Sequence, residues 1–248
     1  MDKTSSFNES EFSATLNRVF SKNGLDRLLS KDKAEKLLTL ALRMLEENQK
    51  YNLTAITDVQ GIVLKHYADS VSLAAHLPKG ASLLDVGTGA GFPTLPLAIC
   101  RPDLRITALD STDKRVRYVE ESARLLGLDN VTAITARAED YCTKDTRERF
   151  DFVTARAVAE LRVLCELCLP FCRVGGALLA MKSKNAQNEV AAAKKAIAML
   201  GGKLTVCKED VLVGDTEPLS RTMLKIDKIA KTPVAYPRPY AQISKKPL

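Results

Sequence analysis

A glycine-rich segment at positions 85–92, Asp-Val-Gly-Thr-Gly-Ala-Gly-Phe, has the residue types and spacing that point most directly to chemistry. Its glycines, Gly87, Gly89 and Gly91, allow the backbone to turn tightly and to approach a ligand closely. The segment follows an apolar stretch typical of a β-strand and precedes one typical of a helix, whose first N–H groups are free to bind a ligand. The pattern predicts a cofactor-binding loop.

The spacing of the glycines indicates which cofactor the loop binds. Dinucleotide-binding loops follow the pattern G-x-G-x-x-G, whereas this chain has G-x-G-x-G and Phe92 at the sixth position. Asp85 stands two residues before the first glycine. A carboxylate there suits the cationic amino or sulfonium group of S-adenosyl-L-methionine and would repel a pyrophosphate. The loop therefore predicts S-adenosyl-L-methionine and counts against an NAD-dependent oxidoreductase.

Acidic residues follow the next two predicted strands. Asp110 ends the second strand, where a carboxylate can accept hydrogen bonds from both ribose hydroxyls, and Ala138 and Glu139 follow the third, where the adenine edge should lie. Because ligands of open α/β sheets bind at the carboxyl ends of the strands, we expect these residues to line the same pocket as Asp85 and the glycine loop.

The segment after the fourth predicted strand bears on the methyl acceptor. It reads Val-Thr-Ala-Arg-Ala-Val at 153–158, which differs from the Asn/Asp-Pro-Pro-aromatic motif of enzymes that methylate amino groups. Enzymes that methylate pyrimidine carbon use a cysteine that directly follows a proline, and Cys172 does not follow one directly. The remaining possibility is an acceptor that is already nucleophilic, such as a ring nitrogen. Because such an acceptor need not lose a proton before it reacts, no general base is expected. Arg156, with its fork of donors, is the predicted catalytic residue: it would orient cofactor and substrate or bind phosphate.

The elements that must position these residues alternate between strand and helix after residue 80. Such alternation predicts an α/β, Rossmann-like, doubly wound sheet, the fold of class I methyltransferases. Two β segments near 203–213 and 221–229 lack a helix between them, so the last strand, at an edge of the sheet, should be antiparallel. We expect a helix over 160–172 and a strand over 177–181. The predicted domains are a helical N-terminal domain (1–79), the cofactor-binding domain (80–230) and a basic C-terminal tail (231–248).

Composition limits the classes of function. The chain has 248 residues, of which 46% are hydrophobic and 27% charged, as in a globular protein. It contains no apolar run near the roughly 20 residues of a membrane helix, and its first six residues lack an apolar core, so a cytoplasmic protein without membrane contact is expected. Cys165, Cys168 and Cys172 lie at spacings of one helical face, which favours core packing, and no metal site is expected.

The net charge of +7 is compatible with a polyanionic partner. Four residues could contact RNA, although for any one of them a solvated surface charge is the more common role. These predicted RNA-binding residues are Arg137, Lys182, Arg221 and Arg238.

Several strings across the chain resemble those of one family, the small-subunit ribosomal RNA guanine-N7 methyltransferases, also called glucose-inhibited division protein B. The matching strings are 52–56, 65–70, 84–93, 110–111, 114–116, 137–139, 153–157, 221–222 and 236–238. The resemblance implies methylation of N7 of one guanine in 16S rRNA, as free RNA or in an assembling 30S subunit, by a protein expected to be a monomer. It also implies that Gly87, Phe92, Ala138, Glu139 and Arg156 contact the cofactor.

The chain departs from this family's usual pattern at places that bear on the site. Thr94 stands where the family usually has glycine, and Pro-Tyr-Ala-Gln at 239–242 replaces a usual Lys-Pro-Gly stretch. Three other functions stay open at this point: a class I methyltransferase that acts on a small molecule, an NAD-dependent oxidoreductase, and an RNA-binding assembly factor without catalysis.

Overall fold

Apolar stretches that alternate with amphipathic segments form one seven-stranded sheet with helices on both faces. The computed structural model describes residues 7–156, 159–183 and 186–248. The strands are β1 (Ser82–Val86), β2 (Arg105–Asp110), β3 (Val131–Thr135), β4 (Phe150–Arg156), β5 (Cys172–Ser183), β6 (Gly202–Leu212) and β7 (Leu219–Lys228). The helices are α1 (Glu9–Lys22), α2 (Lys31–Tyr51), α3 (Val59–Gly61), α4 (Asp69–Ser72), α5 (Thr94–Cys100), α6 (Asp113–Leu125), α7 (Ala138–Tyr141), α8 (Leu161–Cys168), α9 (Gln187–Met199) and α10 (Tyr240–Lys245).

The strand order is β3-β2-β1-β4-β5-β7-β6. The first five strands in this order are parallel, β7 runs antiparallel to β5, and β6 runs antiparallel to β7. The prediction that the last strand of the chain is antiparallel is confirmed. Its expected place at an edge is wrong, because the hairpin inserts its second strand beside β5 and leaves β6 outermost. The strand order reverses between β1 and β4, which is where open α/β sheets bind ligands.

The segment 59–76 between α2 and β1 is one continuous helical run of changing pitch. It begins as α3, becomes a π-helix over Ile62–Ala68, returns to α-helix in α4 and ends as a 3-10 turn at Leu73–His76. Asp58 caps its start: its side chain accepts a hydrogen bond of 2.7 Å from the backbone N–H of Gly61. π-Helical turns are frequent at functional sites, and this one carries His66 toward the glycine loop.

The N-terminal helices share a hydrophobic core with one face of the sheet. Phe12 of α1 and Leu37 of α2 belong to the same buried cluster as Leu83 of β1 and Leu95 of α5. A second cluster on the opposite face joins the sheet to α8 and α9. The proposed boundary near residue 79 therefore marks the change from helical to alternating elements without separating two cores. Residues 1–6 of the proposed N-terminal domain lie outside the described residues.

The region after β4 differs from the sequence prediction. The helix expected over 160–172 ends as α8 at Cys168, a 3-10 turn at Leu169–Phe171 follows, and β5 begins at Cys172, well before the predicted 177. Pro170 explains the break, because it lacks the N–H that a continuing helix needs. The strand then passes through Gly176, where a Cβ would lie 2.3 Å from the carbonyl oxygen of Asp151 on β4.

The cysteines of this region lie in the core. Cys165 and Cys168 are buried on α8, and Cys172 is buried at the start of β5. Burial raises the pKa of the Cys172 thiol to about 12. These thiols are therefore uncharged packing groups, as the sequence analysis proposed.

The C-terminal segment folds back on the second core. Ile243 of α10 is fully buried in the cluster that contains α8, and Arg238 pairs with Glu166 of α8. Within residues 7–156, 159–183 and 186–248, no helix is long and apolar enough to cross a membrane.

Candidate cofactor site

A cavity of about 350 Å³ opens where the carboxyl ends of β1, β2, β3 and β4 meet. Its wall combines backbone of the glycine loop with charged side chains that follow successive strands. The lining residues are Val86, Gly87, Leu109, Asp110, Ser111, Arg115, Ala136, Arg137, Ala138, Glu139, Arg156, Leu167 and Tyr240. Five of the predicted cofactor residues thus lie together: Gly87, Asp110, Ala138, Glu139 and Arg156.

The other predicted cofactor residues stand behind this wall and shape it. Gly89 has a φ of 58° and donates its backbone N–H to Asp110 Oδ2 at 3.0 Å. Gly91 has a φ of 82°, and a Cβ there would lie 2.5 Å from Leu95 Cδ1 of α5. The positive φ favours glycine at position 91, and any larger residue there would also have to displace the buried Leu95 side chain. Asp85 and Phe92 are also absent from the lining.

Asp110 is held in a fixed orientation at the cavity. Its Oδ2 accepts from Gly89, and its Oδ1 accepts from the backbone N–H of Thr112 at 2.9 Å. The side chain of Glu139, which lies one residue into α7, is 10% exposed. Two carboxylates with remaining acceptor capacity therefore face the cavity from neighbouring strand ends. They can accept hydrogen bonds from ribose hydroxyls and from the amino group of adenine.

Asp85 lies elsewhere than the sequence analysis expected. Its side chain is fully buried on the face of β1 that packs against α5, and it does not line the cavity. The Thr94 hydroxyl donates to Asp85 Oδ2 at 2.7 Å and accepts from Thr88 at 3.2 Å. The departure from the family's usual glycine at position 94 thus places a hydroxyl on a buried carboxylate.

Burial raises the pKa of Asp85 to about 6, although the hydroxyls of Thr94 and Thr88 and the charge of Arg156 oppose the rise. Because the folded protein binds this proton more tightly than the unfolded chain, the free energy of unfolding should fall by on the order of 2–3 kcal/mol as pH rises from about 4 to about 6. We expect Asp85→Asn to remove this loss, so that its stability relative to wild type increases across that window in urea titrations.

Asp151→Asn is the matched control for Asp85→Asn, because the pKa of Asp151 is shifted in the opposite direction from that of Asp85. Burial raises the pKa of Asp151, but hydrogen bonds from Ser82 and Arg173 outweigh it and hold the pKa below its usual value. Its contribution to stability is lost as pH falls, so Asp151→Asn should weaken the protein most at the upper end of the range. Parallel pH profiles for wild type and Asp85→Asn would contradict the assignment for Asp85.

Arg156 ends β4 at the cavity wall, packed between a ring and a carboxylate. Its Nη1 donates to the carbonyl oxygen of Lys65 at 2.9 Å and to Asp69 Oδ2 at 3.0 Å, and its Cζ lies 5.5 Å from the centre of the Phe92 ring. Phe92 in turn stacks on His66, with ring centres 4.2 Å apart. The guanidinium is therefore fixed, as an orienting group requires. Ala157 and Val158, which continue the motif, lie outside the described residues.

His66 is a neutral part of this stack. It is buried, and its Nε2 lies 2.9 Å from the hydroxyl of Thr54. Burial, and then the charge of Arg156, lower its pKa to about 3. The imidazole is therefore uncharged at neutral pH and packs against Phe92.

Asp69 is a buried acidic residue beside Arg156 that was not among the site residues predicted from the sequence. Its carboxylate is fully buried and bridges two arginines, with Oδ2 on Arg156 and Oδ1 on Arg221 Nε at 3.0 Å. Partners this far apart in sequence leave no local signal. The one available sign was its place in the string 65–70 that carried the family resemblance.

The predicted RNA-binding residues fall into two groups. Arg137 is 58% exposed beside the cofactor cavity, and Arg221 lines a second cavity of about 900 Å³ between the end of α1, residues 72–76 and strands β5 to β7. Lys182 instead bonds to Glu189 at 2.7 Å and to the carbonyl oxygen of Ala159. Arg238 is tied to Glu166 at 2.6 Å.

A family model and similar proteins of known name all point to the same family. The family model described as GidB, rRNA small subunit methyltransferase G, matches residues 33–212. A protein of Lactobacillus johnsonii named ribosomal RNA small subunit methyltransferase G is 46% identical over 225 residues, which cover 89% of this chain and 93% of that protein. A protein of Geobacillus thermodenitrificans with the same name is 46% identical over 208 residues, covering 83% and 87% of the two chains.

Solved structures show the same fold at low sequence identity. TYW2 of M. jannaschii, in complex with AdoMet, superposes with a TM-score of 0.55 at 18% identity and covers 71% of this chain and 80% of its own. A SAM-dependent O-methyltransferase of Thermotoga maritima gives a TM-score of 0.51 at 16% identity, with coverage of 77% and 72%. The fold is that of class I S-adenosylmethionine-dependent methyltransferases, and the chain belongs to the GidB family of small-subunit rRNA methyltransferases.

Proposed function

We propose that the chain transfers a methyl group from S-adenosyl-L-methionine to N7 of a guanine in small-subunit (16S) rRNA. The observation that carries the proposal is the cavity at the strand-order reversal, where Asp110 and Glu139 face a fixed Arg156 across the glycine loop. Membership of the family supplies the acceptor class.

The residues of the cavity suit the parts of this cofactor. We assign Asp110 to the ribose hydroxyls, Ala138 and Glu139 to the adenine edge, and the backbone at Gly87 to the amino-acid end. Asp85 acts behind the loop by holding Thr94, and Phe92 acts by packing against Arg156. When bound, S-adenosyl-L-methionine supplies a sulfonium-bound methyl group and keeps the electron pair of the broken carbon–sulfur bond.

The acceptor chemistry asks little of the protein beyond placement. Guanine N7 carries a lone pair in the ring plane, so no proton has to leave before it attacks the methyl carbon. Positioning alone can supply several kcal/mol of catalysis. Arg156 fits this need, because Asp69 and the carbonyl oxygen of Lys65 fix its guanidinium while it still lines the cavity.

The larger cavity supports an RNA substrate. Six lysine or arginine side chains line it against three aspartates, and Asp69 joins it to Arg156 through Arg221. An excess of positive charge next to the reacting end suits phosphate groups of RNA. We place RNA contacts at Arg221 and at the exposed Arg137, and we assign Lys182 and Arg238 to internal ion pairs.

Binding and transfer experiments separate this function from the alternatives. By calorimetry, S-adenosylhomocysteine should bind to the protein and NAD should not; the reverse would make it an oxidoreductase. Radiolabelled methyl groups should enter small-subunit rRNA and not free guanosine. Equal labelling of guanosine would indicate a small-molecule enzyme, and cofactor binding without any transfer to rRNA would indicate an assembly factor.

We make two further proposals, on the cellular location and on the oligomeric state. An enzyme that modifies small-subunit rRNA, either free or in an assembling 30S subunit, works in the cytoplasm. We also propose that it acts as a monomer, which light scattering coupled to size exclusion would test.

A further inference from the structure

Tyr240 lines the cofactor cavity although it comes from the far end of the chain. Among the described residues, the rest of the lining lies between positions 86 and 167, on or next to the carboxyl ends of the strands and on α8. Tyr240 is the first residue of α10, and it stands in the stretch 239–242 where the chain departs from the family's usual Lys-Pro-Gly. The C-terminal segment therefore adds an aromatic side chain to the wall of a pocket that the sheet builds.

Two anchors hold Tyr240 in place. Just before it, Arg238 Nε and Nη2 donate to the two carboxylate oxygens of Glu166 at 2.8 and 2.6 Å, and the Arg238 backbone N–H donates to the same carboxylate. Just after it, Ile243 is fully buried in the second core. The position of the ring is thus set by the packing of α10 on α8.

The surroundings of the ring indicate which part of the cofactor it meets. The guanidinium carbon of Arg137 lies 5.9 Å from the ring centre, and Arg137 directly precedes the Ala138–Glu139 pair that we assign to adenine. Tyr240 is 40% exposed, so area remains for a further planar partner. Aromatic side chains stack on bases with a gain of about 1–3 kcal/mol.

We propose that Tyr240 is a cofactor-binding residue whose ring covers the adenine of S-adenosyl-L-methionine. The inference rests on the proposed function, because it takes the cavity to hold that cofactor. It assigns to the altered tail a role in cofactor affinity in place of the RNA contact that its basic charge suggested.

Calorimetry with S-adenosylhomocysteine on the full-length protein tests the proposal. We expect Tyr240→Ala to raise Kd about tenfold, and Tyr240→Phe, which keeps the ring, to stay within about twofold of wild type. Gln242→Ala is the control, because Gln242 is exposed on the same helix and lines no part of the cavity. Unchanged affinity in Tyr240→Ala would overturn the proposal, as would a raised Michaelis constant for RNA with Kd unchanged.

Tyrosine fluorescence gives a second test that a merely structural role would not affect. The chain has no tryptophan and six tyrosines, so quenching of one ring by a stacked adenine is measurable. Saturating S-adenosylhomocysteine and 5′-methylthioadenosine, which lacks the amino-acid part, should quench wild type equally and Tyr240→Phe less. Equal quenching of both proteins, or quenching by S-adenosylhomocysteine alone, would overturn the placement at adenine. If wild type binds no S-adenosylhomocysteine, the proposed function fails instead.

Discussion

Arg156→Lys is expected to lower the rate of methyl transfer to small-subunit rRNA by about 100-fold. The planar guanidinium donates to Asp69 and to the carbonyl oxygen of Lys65 while its face lies over Phe92. A lysine ammonium is a point charge on a flexible stem and cannot keep all three contacts. Single-turnover rates with saturating cofactor and RNA measure the effect on the transfer step itself.

A companion variant and a control make this result specific. Asp69→Asn leaves one acceptor oxygen for two guanidiniums and should show part of the same loss. Arg173→Lys changes an arginine that pairs with Asp151 at the opposite end of β4, so its transfer rate should match wild type. A wild-type rate in Arg156→Lys, with folding intact, would remove Arg156 from the reaction.

Arg238→Ala is expected to lower the free energy of unfolding by about 3–5 kcal/mol, because removing one partner of a buried ion pair leaves an uncompensated charge. The side chain of Glu166 is fully buried, whereas that of Arg238 is 22% exposed at the protein surface. Urea denaturation followed by circular dichroism measures the loss.

The double variant Arg238→Met/Glu166→Met tests the reason for that loss. Replacing both charges by apolar side chains leaves no unpaired charge, so much of the stability should return. The Arg238 backbone N–H loses its acceptor on Glu166, which keeps the recovery below the wild-type value. If Arg238→Ala instead keeps wild-type stability and binds RNA more weakly, Arg238 is an RNA-binding residue and not a structural one.

The residues whose place at the cavity could be predicted from the sequence are those whose position follows from local pattern. A strand that ends at Asp110 puts a carboxylate at the ligand edge of a parallel sheet, and the same reasoning placed Ala138 and Glu139. The structure groups all three around one cavity.

Asp85 shows where the local pattern was insufficient. Alternate residues of a strand face opposite sides, so Asp85 shares the face of Leu83 and packs toward α5. Its partner Thr94 follows a turn that brings the start of α5 back beside β1. That hydrogen bond depends on how the loop closes, which the residue types alone do not determine.

Asp69 and Tyr240 depend on contacts between distant segments. Asp69 pairs with residues of β4 and β7, and Tyr240 reaches the cavity only because Arg238 and Ile243 dock the tail on α8. No regular helical or strand spacing in the sequence links either residue to the residues that it contacts. Their place at the site is therefore visible only in the folded chain.

Mass-spectrometric mapping of modified guanines in small-subunit rRNA tests whether this protein methylates N7 of a guanine there. The rRNA would come from cells that lack this gene and from the same cells supplied with wild type or with Arg156→Lys. We expect one 7-methylguanosine to be absent without the gene, to return with wild type and to stay largely absent with Arg156→Lys. An unchanged set of 7-methylguanosines in the cells that lack the gene would contradict it.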